Sequence, residues 1–202
     1  MIRIIQYIFR VFYPSLTWRV KTNKKILYLT FDDGPIPEVT PWVLEQLNIY
    51  NAAATFFCIG DNVKKHPDIY NNIISQGHKT GNHTFSHLNG WKVPEKTYLE
   101  NVTIAKEYID SDLFRPPYGK ITRSLISSLK KEFRIVMWDV LSYDFDRRYD
   151  GNDCFQKVVR LSISGSIIVF HDSLKAKDRL QIALPQVLKH FSEKGYSFKA
   201  LT

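Results

Sequence analysis

The chain has 202 residues, 44% of them hydrophobic and 24% charged, which suits one domain with a single buried core and is short for two. The formal net charge of +8 fits an anionic partner, such as a cell-wall polymer or an acidic membrane surface. The Lys and Arg residues are nevertheless scattered and accompany no nucleic-acid motif, so a solvated basic surface is preferred to nucleic-acid binding. Cys58 and Cys154 lie far apart with no metal-binding spacing, which excludes a disulfide framework; Cys58 sits in an apolar run and reads as a buried thiol.

Met1 to Phe12 is apolar but broken by Arg3 and Arg10, and falls short of the roughly 20 residues that span a bilayer. No small-residue cleavage site follows, so a cleavable signal is not expected, which leaves a cytoplasmic or a membrane-associated, cell-envelope location open. Ile4, Ile5, Ile8, Phe9 and Phe12 share one helical face. The preferred reading is a short helix packed on the domain; the alternative is weak membrane-surface contact through residues 1–12, with the two arginines at the headgroups. Residues 1–24 are therefore expected to form a segment packed on a domain spanning 25–202, and a monomer is expected.

From there hydrophobic patterning alternates strands with helices. Strand one is Ile26–Phe31. A helix follows with Thr40 as its N-cap, Pro41 at its first position and Val43, Leu44 and Leu47 inward. Strand two is Thr55–Ile59. A helical region from Asp61 to Gln76 is interrupted at Pro67 and capped by Gly77. Strand three is His78–Asn82, and a helix covers Pro94–Ile109. Strand four is Leu113–Phe114, followed by a helix carrying Leu125, Ile126 and Leu129. Strand five is Arg134–Trp138. A helix over Cys154–Ile163 leads to strand six, Ser166–Phe170. A last helix carries Leu180 to Phe191, and strand seven is Tyr196–Leu201. Seven strands alternating with six helices imply a parallel α/β sheet with right-handed crossovers.

The polar clusters fall at the carboxyl ends of five strands: Asp32 and Asp33, His83, Arg115, Asp139 and Asp144, and His171. α/β folds build sites there, and five contributing strands fit a nearly closed barrel better than an open sheet. Adjacent carboxylates at a strand tip would be costly core residues, but they suit a site where one acid binds a metal and its neighbour stays free as a base. His83 and His87 stand four apart; on one helical turn both imidazoles would face one ion. Two His and one carboxylate leave positions open for water and substrate. Arg115-Pro116-Pro117-Tyr118 forms a stiff loop that holds an Arg against a carboxylate and offers the Tyr118 N–H to an oxyanion. Asp144 or Asp139 is placed to accept the ring N–H of His171. Trp91, Tyr118 and Tyr143 are candidates to stack sugars, packing being the blander account of each.

Thr30-Phe31-Asp32-Asp33-Gly34-Pro35, His83-Thr-x-x-His87, Arg115-Pro-Pro-Tyr-Gly119 and the strand-end His171, in that order, resemble the polysaccharide deacetylases with a NodB homology domain, carbohydrate esterase family 4. The resemblance runs from about Lys25 to the end. It implies a distorted (β/α)7 barrel, with Asp33, His83 and His87 as metal ligands and Asp32 as general base. It further implies that Arg115 orients that base, that the Tyr118 N–H holds the oxyanion, that His171 is the general acid and that Asp144 tunes it. The expected cofactor is one divalent ion, zinc first, with cobalt, manganese or nickel compatible. The departures are Phe145 where Trp is frequent, Leu141 where an aspartate often lies, Val169 where a leucine usually lines the acetyl pocket, and no proline after His87. Val169 and Phe145 join Trp91 and Tyr143 as expected substrate contacts. The implied reaction is metal-dependent de-N-acetylation of an N-acetylglucosamine polysaccharide such as peptidoglycan or chitin. The rival readings are O-acetyl ester hydrolysis on a polymer such as xylan, a two-His-one-carboxylate iron oxygenase, and an inactive carbohydrate-binding relative. No Gly-x-Ser-x-Gly elbow supports a serine hydrolase.

Overall fold

In the computed structural model, residues 13–202 are described. The amphipathic face and the membrane-contact expectation for residues 1–12 lie outside them. The elements are β1 (Ile26–Asp32), α1 (Thr40–Ile49), β2 (Ala54–Cys58), α2 (Gly60–Lys65), α3 (Pro67–Ser75), β3 (Lys79–Asn82), α4 (Glu95–Lys106), β4 (Leu113–Phe114), α5 (Arg123–Leu129), β5 (Arg134–Ile135), β6 (Val140–Leu141), α6 (Gly151–Leu161), β7 (Ile167–His171), α7 (Lys177–Glu193) and β8 (Ser197–Phe198).

All strand pairs are parallel, in the order β5-β4-β3-β2-β1-β7-β6, with β8 against β1. The two ends of that path are joined by four residues. Within them the Val136 N–H donates to the Phe114 carbonyl (2.8 Å) and the Asp139 N–H to the Ile167 carbonyl (2.9 Å). The expected strand five, Arg134–Trp138, is paired only over Arg134–Ile135; the chain then leaves β4 and, past that expected end, takes up β7 as β6. With β5 and β6 counted as one split strand, the result is a distorted (β/α)7 barrel. Thr17 bridges Val136, Arg19 bridges Ser166, and Leu16 is buried with Tyr98, Phe114 and Met137, so residues 16–19 lie against the seam.

Alternation along β1 assigns its two faces. Leu27, Leu29 and Phe31 are fully buried, and the Phe31 ring lies 5.0 Å from Phe56 and 6.1 Å from Phe170. These side chains join Val43, Leu44 and Leu47 of α1 and Leu184, Val187 and Leu188 of α7 in the main core. Each such burial contributes about 1.5–3 kcal/mol. Thr30 and Asp32 alternate with them and point the other way, where Arg115 reaches both. Cys58 and Cys154 are buried free thiols.

One local expectation holds and one changes. The helical region after β2 divides at His66, and Pro67 opens a new helix, where its missing N–H is no loss. Thr40 lies inside α1 rather than capping it; its hydroxyl donates to Asp172 (2.6 Å) and accepts from the Ile36 N–H (2.8 Å). A buried tertiary acceptor has displaced the local cap. No helix among the described residues is long and apolar enough to cross a membrane.

Candidate active site

Asp32 ends β1 and is almost fully buried. Its charge is matched by Arg115, just past β4, whose Nη1 lies 2.6 Å from Asp32 Oδ1. Arg115 has no exposed surface, and the barrel engages each of its three side-chain nitrogens. Nη1 also reaches Thr30 Oγ1 (2.8 Å), Nη2 the Met137 carbonyl (3.0 Å) and Nε the Val136 carbonyl (3.2 Å). The guanidinium lies 4.0 Å from the centre of the Phe57 ring. A planar, multiply anchored cation fixes the Asp32 carboxylate in one orientation.

Asp33 turns the other way. Its φ of 82° lies in the left-handed region, and the Asn62 amide donates to its carbonyl at 2.8 Å. Its Oδ1 stands 3.1 Å from His87 Nε2 and 3.7 Å from His83 Nε2. Burial raises its pKa, but the His87 hydrogen bond and the nearby imidazoles outweigh that and hold it well below the usual carboxylate range.

His83 and His87 do not share a helical turn. Thr84 (φ 64°) and His87 (φ 56°) are left-handed, so a tight irregular loop brings the two rings to 5.0 Å. Asn82 Oδ1 fastens it through the Thr84 N–H (2.8 Å), and Thr84 Oγ1 through the Leu88 N–H (3.1 Å). His83 Nδ1 lies 2.7 Å from the Arg115 carbonyl, an acceptor only, so Nδ1 carries the proton and the Nε2 lone pair faces Asp33. Burial pushes the His83 pKa down to about 4, which keeps that lone pair free. One carboxylate oxygen and two imidazole nitrogens, all within 4.8 Å of one another, form a donor set that fits zinc and other first-row divalent ions.

His171 ends β7. Its Nδ1 meets Asp144 Oδ1 at 2.7 Å and its backbone N–H donates to Asp144 Oδ2 at 2.8 Å. Asp144 is therefore its partner; Asp139 receives the Ser166 hydroxyl instead (2.5 Å). Burial alone would lower the His171 pKa, but the charge and hydrogen bond of the fully buried Asp144 raise it to about 9. With Nδ1 committed, Nε2 is the nitrogen left to give a proton.

These groups surround a cavity of about 280 Å³. Its walls include Asp32, Asp33, His87 and His171, with Trp138, Leu141, Val169 and Phe145 supplying the apolar part. Tyr118, also left-handed (φ 61°), lies at the rim with its hydroxyl 3.1 Å from His87 Nδ1. Among the described residues no protein acceptor takes its backbone N–H. Of the expected sugar contacts, Val169 and Phe145 line the cavity. Trp91 does not: its indole donates to the Ile121 carbonyl (3.1 Å) and its ring carries Lys120. Tyr143 (φ 65°) packs against Phe145 and Tyr149 outside it. Asp33, His87 and Tyr118, which line the cavity, and Thr84 and Tyr143, close in sequence to His87 and Phe145, are left-handed non-glycine residues, each a strain of about 1–3 kcal/mol that the surrounding bonds must hold.

Sequence reasoning missed Thr30, Asn62, Asp172, Trp138 and Lys175. Asp172 is buried behind the loop bearing Asp33, where its carboxylate accepts from the Gly34 N–H (3.1 Å) and from Thr40. Burial raises its pKa to about 8 against those hydrogen bonds. An acid directly after a strand-end histidine was the available signal. Lys175 reaches the cavity from the loop before α7.

The polysaccharide deacetylase family model matches residues 19–132. A peptidoglycan-N-acetylglucosamine deacetylase of Bacillus cereus is 33% identical over 193 residues, 91% of this chain and 89% of that one. A chitooligosaccharide deacetylase of Azorhizobium caulinodans is 33% identical over 76% of this chain and 77% of its own. The crystal structure of a peptidoglycan N-acetylglucosamine deacetylase bound to an N-oxidanyl-benzamide is similar with a TM-score of 0.85 and 30% identity, over 95% of this chain and 93% of that one.

Proposed function

The chain belongs to the polysaccharide deacetylase family, and we propose that it removes N-acetyl groups from an N-acetylglucosamine-containing polysaccharide of the peptidoglycan or chitin type, with one divalent ion, zinc first, held by Asp33, His83 and His87. The observation that carries this reading is the division of two adjacent carboxylates. Asp33 faces two imidazoles, while Asp32 faces Arg115 and the cavity.

When bound there, the ion supplies a Lewis acid that acidifies water and polarises a carbonyl oxygen. Asp32, fixed by Arg115, takes a proton from the attacking water as the new C–O bond forms at the acetyl carbon. The Tyr118 N–H donates to the oxygen that becomes negative; one such donor supplies about 2.7–4 kcal/mol. His171 Nε2 then gives its proton to the amide nitrogen as the C–N bond breaks, releasing acetate and a free amine. An amine leaves poorly without that proton. A histidine whose Nδ1 is held by Asp144 at 2.7 Å is placed to supply that proton, which an ester needs far less. Trp138, Leu141 and Val169 form an apolar wall for the acetyl methyl.

The test is acetate release from N-acetylglucosamine oligomers and from acetylated xylan, by protein stripped of metal and resupplied with zinc. The reading predicts zinc-dependent release that favours the N-acetyl substrate. Release from xylan alone would make the protein an esterase, and no release from either would overturn the reading.

A further inference from the structure

Lys175 stands at the mouth of the catalytic cavity, and among the described residues lining that cavity it is the one lysine or arginine. Its charge acts on Asp146, and Arg148 has taken both of that group's oxygens. Arg148 Nε lies 3.1 Å from each oxygen and Nη2 lies 2.6 Å from Oδ2. Lys175 makes no ion pair among the described residues; its ammonium rests 5.6 Å from the centre of the Phe145 ring. Its backbone is fixed to the catalytic machinery, because Arg179 donates from Nη2 to the Lys175 carbonyl and from Nε to the Asp144 carbonyl. Phe145 meets His171 edge to face at 5.0 Å. The cation therefore has a defined place beside the general acid and no ion-pair partner of its own, since Arg148 engages Asp146 and Arg115 engages Asp32.

Behind it the rings of Tyr143 and Phe145 stack at 6.0 Å, and Lys157 lies 4.0 Å from the centre of the Tyr149 ring. Rings of this kind offer faces to a sugar, and the adjoining ammonium groups seek an anion. A neutral glycan would leave Lys175 without a partner, and the net charge of +8 adds long-range attraction for a polyanion.

We propose that Lys175 and the Phe145 ring form a subsite for a carboxylate-bearing sugar next to the N-acetylated one, so that the preferred substrate is an anionic glycan. This rests on the deacetylase reading and narrows it.

The test compares two oligosaccharides of equal length. One is a neutral N-acetylglucosamine oligomer; in the other every second sugar carries a lactyl carboxylate. For Lys175→Met the preference for the anionic oligomer, as a ratio of kcat/KM, falls about fivefold and chiefly through KM, the scale of one partly screened ion pair. Lys175→Arg retains it, and about 1 M salt erases it in the unaltered protein. A ratio unchanged in Lys175→Met, whether both activities fall together or neither moves, overturns the proposal and reduces Lys175 to packing on Phe145. Equilibrium binding of both oligomers is measured alongside. If no acetate is released, the deacetylase reading fails on its own, and the ratio of the two Kd values still tests Lys175.

Discussion

Asp32 and His171 are register partners on adjacent parallel strands, so the last residues of β1 and β7 present a carboxylate and an imidazole side by side at one rim. Paired residues of parallel strands point to the same face. One backbone pairing thus places the proposed proton acceptor next to the proposed proton donor, and each is then held by a buried partner of opposite charge. Arg115 serves Asp32 and Asp144 serves His171.

Arg115→Met leaves the Asp32 charge in the barrel with its main partner gone. The expected loss of stability is about 3–5 kcal/mol, the usual cost of breaking a buried pair from one side. Urea unfolding of the two proteins measures it. Arg115→Lys restores only part, because an ammonium cannot span the Met137 and Val136 carbonyls and Asp32 together. A loss below about 1 kcal/mol would show that the pair carries little.

His171 predicts a particular pH dependence. Below about pH 6.5 the imidazole is charged in the folded and unfolded chain alike, and its pairing with Asp144 contributes in full. Between 6.5 and about 9 the unfolded chain releases the proton while the folded chain keeps it, so that contribution fades and is gone above about 9. In metal-stripped protein, NMR of the His171 ring shows a midpoint near 9. Asp144→Asn removes the two largest raising influences, leaves only the weaker charges of Asp33 and Asp32 against burial, and lowers the midpoint from about 9.

Gly34 has no room for a side chain: a Cβ there would lie 1.9 Å from Asp172 Oδ2. Gly34→Ala must displace the carboxylate that holds the Gly34 N–H and Thr40, and with it the loop bearing Asp33. We expect about 1–3 kcal/mol of lost stability and a larger fractional loss of zinc affinity, read by thermal melts with and without zinc. Equal melting shifts in both conditions would separate Asp172 from the metal loop.

Much of the site was legible because its residues sit where strands end, and short strands are marked by runs such as Ile26–Phe31 and Ile167–Phe170. The misses share one physical cause: tertiary partners outweighed local pattern. The spacing of His83 and His87 suits a helix, yet bonds from Asn82 and Thr84 hold a left-handed turn instead. Thr40 carries a cap signature, yet its hydroxyl belongs to Asp172. Arg134–Trp138 reads as one strand, yet pairing with β4 stops at Ile135, and a further short strand, Val140–Leu141, pairs with β7 to close the barrel. Lys175 carries no local signal, since its meaning comes from the distant pairing of Asp146 with Arg148.

The central claim is that neighbouring carboxylates have different work, and parallel substitution tests it most directly. Zinc content and acetate release are measured together for Asp32→Asn and Asp33→Asn. The account predicts that Asp32→Asn keeps zinc near one equivalent while turnover falls about 10²–10⁴-fold, the contribution of a general base. It predicts that Asp33→Asn loses the zinc itself. Loss of zinc in Asp32→Asn, or retained zinc with full turnover in Asp33→Asn, would contradict it.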